Sequence, residues 1–232
     1  MELVAWIFNL GYLFQHIGTL LQIRRIENKK NIEGVSIDTQ ILFLLGTIAR
    51  CIWISDTILK SHYVTYIELC LALVTLFYTL YICLLKYNKY KSIFSLICGS
   101  SVPILFRWYI LVIVVGVLSV LFYPGKGDNF EFDVQILVSF TIYVEAAGLI
   151  PQIYSVVSEK DSRIFSSFYL VFLAISRICR LVFWVKLYLE NNDFEFLIIA
   201  DVMHLVVFLV FVYFYFTNLN KLILPTNNIK NL

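Results

Sequence analysis

The sequence has few charged residues for its length. They make up 15% of 232 residues, whereas an average soluble domain carries about a quarter. The 18 Lys and Arg nearly balance the 16 Asp and Glu, so the net charge is only +2. Such a chain has no basic face for a phosphate backbone and is too apolar to remain disordered. The composition therefore excludes a nucleic-acid-binding protein and a disordered chain.

Disulfide, glycosylation, metal and catalytic patterns are also lacking. None of the 5 cysteines has a partner at a spacing typical of a disulfide framework, and no Asn-x-Ser/Thr acceptor occurs. The chain contains no HExxH, no glycine-rich phosphate loop, no Cys/His metal spacing and no Ser-His-Asp order. We therefore expect a protein that is not an enzyme and holds no cofactor and no metal.

What the sequence does contain is apolar residues in long runs. Hydrophobic residues make up 60% of the chain and the mean hydropathy is +0.83. The runs are about twenty residues long, which is the length of a helix that crosses a lipid bilayer. We predict an all-α membrane protein with seven transmembrane helices, near residues 3–23, 38–58, 64–85, 105–123, 133–154, 167–189 and 196–217.

The basic residues between these spans predict an orientation. The only Lys or Arg residues in the links after spans two, four and six are Lys60 and Lys126. The other links and the tail contain Arg24, Arg25, Lys29, Lys30, Lys86, Lys89, Lys91, Lys160, Arg163, Lys221 and Lys230. Because cytosolic loops are enriched in Lys and Arg, we expect a luminal N-terminus and a cytosolic C-terminus.

A short internal similarity predicts a duplicated architecture. Leu21-Gln22-Ile23 ends the first span and Pro151-Gln152-Ile153 ends the fifth. The pattern favours two parallel three-helix repeats, 3–85 and 133–217, joined by a fourth helix at 105–123 and followed by a tail at 218–232. The apolar segment 92–106 is interpreted as an interfacial stretch.

Ionisable residues inside the spans are the strongest functional signal. Arg50, Glu145 and Arg177 are expected near the bilayer midplane, where each costs roughly 2.5–3.5 kcal/mol and must be paired. Glu145 and Arg177 are expected to pair because they lie on consecutive antiparallel helices.

Adding Arg180 and Asp201 to this count leaves one positive charge over. An interior site for an anion that arrives from the lumen explains the extra guanidinium. A buried network that only holds the helices together is the alternative.

Two histidines are candidate pH sensors. His16 lies in the first span, and His204 shares a helix face with Asp201. An imidazole near an arginine cluster would titrate near luminal pH. The simpler interpretation of His16 is a hydrogen-bonded packing residue.

Two segments of the sequence resemble the KDEL receptors, the family of receptors that retain proteins in the endoplasmic reticulum. The first is Gly34-Val35-Ser36-Ile37-Asp38-Thr39-Gln40-Ile41-Leu42-Phe43 with Arg50 seven residues later. The second is Val144-Glu145-Ala146-Ala147-Gly148-Leu149-Ile150-Pro151-Gln152-Ile153. The resemblance covers nearly the whole chain.

The resemblance implies a fold and a function. The fold is seven helices in two three-helix repeats, related to the PQ-loop and SWEET transporters. The function is to bind C-terminal retention signals of escaped luminal proteins in the Golgi and return them to the endoplasmic reticulum. It implies signal peptides and the bilayer as partners, and coatomer at the cytosolic loops and tail.

The resemblance also assigns roles to single residues. Arg50 matches the arginine that takes the terminal carboxylate of the peptide, and Glu145 with Arg177 matches an interior ion pair. Trp184 matches a pocket wall, and Glu195 matches an acid at the luminal end near the lysine of the signal. With Arg180 added from the charge count, these residues form the candidate ligand-binding set.

Several positions depart from the family pattern. The residues that stand where the family has its side-chain readers, its pH-sensing histidine and its retrieval acid are Phe8, Gln15, Cys51, Trp53, Gln135, Leu187 and Phe211. The lysine-rich tail is reduced to Lys221. The carboxylate-binding residue is retained, whereas most residues that would read the peptide side chains are not.

We therefore predict a divergent KDEL-receptor-like protein of the endoplasmic reticulum and Golgi membranes. The first alternative is a PQ-loop or SWEET-type transporter of a small organic anion or amino acid. The second is a membrane scaffold that binds no ligand.

Overall fold

A computed structural model describes the helical part of the chain. The described residues are 2–30, 32, 35–55, 57, 59, 62–86, 102–123, 132–158, 167–191 and 195–223. Within them are seven α-helices: α1 Glu2–Lys29, α2 Ile37–Ile54, α3 Tyr63–Tyr81, α4 Trp108–Leu121, α5 Phe132–Ser158, α6 Ser167–Asn191 and α7 Glu195–Ile223. A π-helical turn, Ile82–Lys86, extends α3, and a 3₁₀ turn, Ile104–Phe106, precedes α4.

Each predicted span coincides with one of these helices, and six of the helices are long and apolar enough to cross a membrane. The fourth, α4, has only 14 residues, or about 21 Å at 1.5 Å per residue. The chain is thus an all-helical, multi-pass membrane protein. Residues 92–101 of the predicted interfacial stretch, and the tail from 224 onward, lie outside the described residues.

The helices pack in an order that differs from their order in the sequence. Helix α1 packs against α6, and α2 packs against α5. Helix α3 contacts both α1 and α2, and α7 contacts both α5 and α6. Helix α4 lies against α5 and α2. These contacts bring polar residues from six helices into one interior.

Glycines allow the two main helix pairs to approach closely. A Cβ atom on Gly46 of α2 would lie 2.9 Å from Cγ1 of Val144 on α5. A Cβ atom on Gly11 of α1 would lie 3.1 Å from Cβ of Cys179 on α6. Small residues are typical of such contacts in membranes, since helix association there depends on close packing.

Polar contacts fix the start of α2. The Ser36 hydroxyl accepts from the backbone N–H of Thr39 (3.3 Å), which caps the helix. The backbone N–H of Ser36 donates to Oε1 of Gln152 on α5 (3.1 Å). At the same end, the N–H of Trp108 donates to Oδ1 of Asp38 (3.1 Å). The first turn of α2 therefore positions both α4 and α5.

The buried apolar side chains form two main groups along the helices. One surrounds the N-terminal half of α1 and includes Val4, Phe8 and Tyr12. The other surrounds its C-terminal half and includes Ile23 and Ile26. The buried charges lie between the two groups.

Candidate ligand-binding site

The first charged group of the interior joins α1, α2 and α3. Nη2 of Arg50 donates to Oε1 of Glu68 at 2.8 Å, and Nε2 of His16 lies 2.5 Å from the same oxygen. Arg50, Glu68 and His16 are 1%, 2% and 5% exposed. The three side chains are therefore a buried ion pair with an imidazole beside it.

This pairing overturns one expectation from the sequence. The charge count from the sequence leaves one cation without an acid, but in the structure Arg50 is paired with Glu68 on α3, an acid that the count did not include. With Glu68 included, the described interior matches Arg50, Arg177 and Arg180 with Glu68, Glu145 and Asp201. The prediction of one surplus cation is therefore wrong.

The helix bounds place Arg50 toward one end of α2. Helix α2 begins at Ile37 and ends at Ile54, so Arg50 lies about 20 Å from its start and about 6 Å from its C-terminal end. Its side chain still lies in the interior because α3 and α1 cover it.

The second charged group joins α5, α6 and α7. Nη1 of Arg177 donates to Oε2 of Glu145 at 3.0 Å, which confirms the predicted pair. Arg180 donates through Nη1 to the same Glu145 oxygen and through Nη2 to Oδ1 of Asp201 at 2.8 Å. All four side chains are at most 2% exposed. This group therefore ties three helices together.

Tyr12 of α1 connects the two charged groups. Its ring lies under the guanidinium of Arg50, with Cζ 3.5 Å from the ring centroid. Cζ of Arg180 lies 5.3 Å from the same centroid. Both contacts are within the range of cation–π attraction. The two charged groups thus form one continuous site around a tyrosine ring.

An aromatic layer covers this site on one side. Phe8 packs against Tyr12, Trp53 and Phe183, with ring centroids 4.8, 5.9 and 4.9 Å apart. Trp184 contacts Phe183 at 4.8 Å and is 5% exposed. Phe8 and Trp53, two departures from the family pattern, therefore form an apolar cover where the resemblance expects charged side chains.

The remaining candidate residues lie apart from the centre. Glu195 is exposed in the first turn of α7, where Tyr188 donates to its Oε1 at 3.3 Å. His204 is fully buried, with Nδ1 4.0 Å from Oδ1 of Asp201. The structure therefore does not bring Glu195 to the arginines, whereas His204 borders their group.

Several polar atoms of the site have no hydrogen-bond partner among the described residues. They include Nε and Nη1 of Arg50 and Nε and Nη2 of Arg177. Oε2 of Glu68 and Oδ2 of Asp201 are also unpartnered. Because buried donors are usually satisfied, these guanidinium edges are suited to an anion such as a carboxylate.

A cavity of about 20 Å³ lies beside His16 and is lined by both polar and apolar side chains. Its lining includes Gln15, Gln22 and Gln40 together with His16. Gln22 is 6% exposed, and neither atom of its amide has a partner among the described residues. The cavity beside His16 thus combines amide and apolar side chains.

Glu68 and Tyr12 are the functional candidates that the sequence interpretation missed. Glu68 has the same signal as the other buried charges, because it is an acid inside an apolar run. Tyr12 has no comparable signal, since it is one of 15 tyrosines and its role depends on which helices meet.

The fold and the site define a class: a multi-pass helical membrane protein with a buried, charged interior. No group of side chains that could hold a metal ion occurs in the part of the chain that the structure describes.

Residues 31–187 match the family model described as "ER lumen protein retaining receptor". Since this match covers more than half of the chain, the protein belongs to the ER lumen protein-retaining receptor, or KDEL receptor, family. These proteins are non-enzymatic, multi-pass receptors of the endoplasmic reticulum and Golgi.

Curated relatives agree with the family model over nearly their whole length. The chain is similar to ER lumen protein-retaining receptor 2 of Gallus gallus, at 27% identity over 93% of this chain and 95% of the relative. It is similar to the human receptor 2 at the same identity and coverage. It is 25% identical to receptor 3 of Mus musculus over 91% of this chain and 92% of the relative.

Proposed function

We propose that the protein binds the C-terminal carboxylate of retention-signal peptides and returns luminal proteins from the Golgi to the endoplasmic reticulum. The observation that carries this proposal is the set of unpartnered N–H groups on Arg50 and Arg177 inside a buried site. Guanidinium groups bind carboxylates through paired, charge-assisted hydrogen bonds, and these are stronger where water is scarce.

The candidate residues take different roles in this proposal. Arg50 receives the terminal carboxylate, and Arg177 offers a second donor edge. Glu145 holds Arg177 in place, Arg180 holds Glu145, and Trp184 forms a wall of the pocket. Glu195, exposed at the start of α7, attracts a basic side chain of the signal before it enters.

The aromatic layer supports a preference for apolar side chains just before the terminal carboxylate. Phe8, Trp53 and Trp184 belong to the apolar group that contains Tyr12, the ring under Arg50, and offer no positive charge to an acidic side chain. A signal for this receptor therefore differs from the Lys-Asp-Glu-Leu type at its internal acidic positions.

The helix contacts support the proposed repeats. In both triplets the third helix contacts the other two, and α1–α6 corresponds to α2–α5 across the triplets. We place repeats one and two at 3–85 and 133–217, with α4 between them. The basic residues of alternate links support a luminal N-terminus and a cytosolic C-terminus.

His16 and His204 are the proposed pH-sensing residues. His16 shares the Glu68 oxygen with Arg50, so a protonated imidazole would compete with Arg50 for that oxygen. Acid is therefore expected to release Arg50 for a ligand. The predicted pH dependence is tighter binding in acid, and His16→Gln should reduce it.

Coatomer is the proposed cytosolic partner, acting through the cytosolic loops and the tail. Lys221 and Lys230 are the basic residues of that tail. Coatomer binding by wild-type tail peptide and by a peptide with both lysines changed to alanine tests this part.

The proposed function is tested by a binding screen of the purified protein. Peptides with a free C-terminus and all residue types at the last four positions are compared at acidic and neutral pH. We expect binding that requires the free carboxylate and favours apolar residues before it. Absence of binding by every free-acid peptide at either pH contradicts the proposal.

A transporter is the second candidate because amide side chains lie in the interior beside His16. Gln15, Gln22 and Gln40 line a small cavity there, and both amide atoms of buried Gln22 lack a partner among the described residues. Counterflow of a small carboxylate in proteoliposomes would support the transporter, whereas peptide binding without flux supports the receptor.

A further inference from the structure

Arg50 holds its acidic partner by few contacts. Of its five N–H donors, only one on Nη2 bonds to Glu68, whose second oxygen has no partner in the described structure. A bidentate carboxylate would use two donors of the same guanidinium. The Arg50–Glu68 contact is therefore incomplete on both sides.

The second charged group is held together much more firmly. Arg180 uses both Nη atoms, one for Glu145 and one for Asp201, and Glu145 also receives Arg177. Removing one contact there disturbs three helices. If a ligand carboxylate displaces a protein carboxylate, Glu68 is thus the one that moves at least cost.

His16 offers Glu68 a second position. Its Nε2 already lies 2.5 Å from Oε1 of Glu68, so Glu68 can leave Arg50 and keep a polar partner. The Tyr12 ring, 3.5 Å from the Arg50 guanidinium, keeps Arg50 in place during the exchange.

We propose that Glu68 is an internal competitor that occupies the carboxylate-binding edge of Arg50 until a ligand carboxylate displaces it. The peptide part of this inference rests on the proposed function, whereas the exchangeable carboxylate position does not. Glu68 thereby sets the affinity threshold: only ligands whose carboxylate binds Arg50 better than Glu68 does can enter.

The exchangeable position is tested without any peptide, by chemical rescue. Glu68→Gln leaves Arg50 without its buried counter-charge, so thermal stability should fall, and acetate at constant ionic strength should restore it in a saturable manner. Wild type should not respond to acetate. Adding Arg50→Gln to Glu68→Gln should abolish the acetate response. The matched control is Asp133→Asn, which removes an exposed acid.

Peptide binding gives the second readout. A free-acid peptide found in the screen should bind Glu68→Gln about tenfold to a hundredfold more tightly than wild type, because its competitor is gone. Glu68→Asp, with a carboxylate that is shorter by one methylene, should be intermediate. If Glu68→Gln does not fold, Glu68→Asp carries both the acetate and the peptide measurements.

The outcomes separate the two proposals. Saturable acetate rescue without any peptide binding supports Glu68 as the occupant and contradicts the receptor function. Peptide binding that is equal in wild type and Glu68→Gln, without acetate rescue, overturns the competitor and leaves the receptor function intact.

Discussion

Glu145 receives two guanidinium groups in an interior that excludes water. Arg180 keeps Asp201 as a second partner, whereas Glu145 is the acid hydrogen-bonded to Arg177. A buried ion pair adds little net stability over apolar residues of the same shape, but removal of one partner leaves a costly buried charge. Loss of Glu145 therefore harms the protein mainly through Arg177.

Glu145→Gln should lower the free energy of unfolding by about 3–5 kcal/mol. Changing Arg177 to Met as well should recover much of the loss, since no buried cation is then unpaired. Thermal unfolding in detergent or nanodiscs measures both variants. Equal shifts for the single and double variants would mean that the two side chains are not coupled.

The partner of Glu145 was predictable, whereas the surroundings of Arg50 were only partly so. Glu145 and Arg177 lie on consecutive antiparallel helices at similar depths, so the cost of a buried charge forces them together. Arg50 pairs across α2 and α3 with Glu68, an acid that the charge count omitted. The contact with Tyr12 depends on α1 lying between α3 and α6, which no local pattern specifies.

The helices themselves follow closely from the sequence. Apolar runs of bilayer length predicted the positions of α1 to α7, because a segment that crosses lipid must satisfy its backbone hydrogen bonds internally, as a helix does. Helix ends were less predictable: α1 runs on to Lys29 and α2 ends at Ile54, since caps and packing decide where the backbone turns. The short α4 is fixed by the contact of Trp108 with Asp38.

The close approach of α2 and α5 leads to a prediction for Gly46. Gly46→Ala places a methyl group 2.9 Å from Val144 Cγ1 and 3.4 Å from Cγ of Glu145, and valine has little rotamer freedom in a helix. We expect a loss of about 1–3 kcal/mol in stability, as for other overpacked interiors.

Gly116→Ala on α4 is the matched control for Gly46→Ala. Nothing lies within 4 Å of a Cβ atom at Gly116, so that variant should be as stable as wild type. Melting temperatures of the two alanine variants provide the comparison. A Gly46→Ala protein with the same melting temperature as wild type would contradict the close contact between α2 and α5.

The whole molecule combines two helix triplets with a one-sided distribution of basic links. The triplets meet through α1–α6 and α2–α5, and the charged site lies where these pairs enclose Tyr12. If all seven helices cross the membrane, as proposed, the two ends of the chain lie on opposite sides of it. In the proposed orientation the aromatic layer faces the lumen, and the cavity beside His16 lies toward the cytosol.

This orientation predicts where glycosylation can occur. The sequence has no Asn-x-Ser/Thr acceptor, so an added acceptor reports its own location. A spaced acceptor before Glu2 should be glycosylated in cells, and the same tag after Leu232 should not be. For both tagged proteins, a gel-mobility shift that endoglycosidase treatment removes reports glycosylation. The reverse pattern would contradict the luminal N-terminus.

A thermodynamic cycle on Arg50 and the ligand carboxylate tests whether the two groups bind each other. Affinities of a free-acid peptide and its C-terminal amide are measured for wild type and Arg50→Lys, which keeps the charge but not the paired donors. We expect amidation and Arg50→Lys each to weaken binding about tenfold to a hundredfold and to add little when combined. Equal affinity of wild type for the acid and the amide would make Arg50 a purely structural cation and would contradict carboxylate binding at this site.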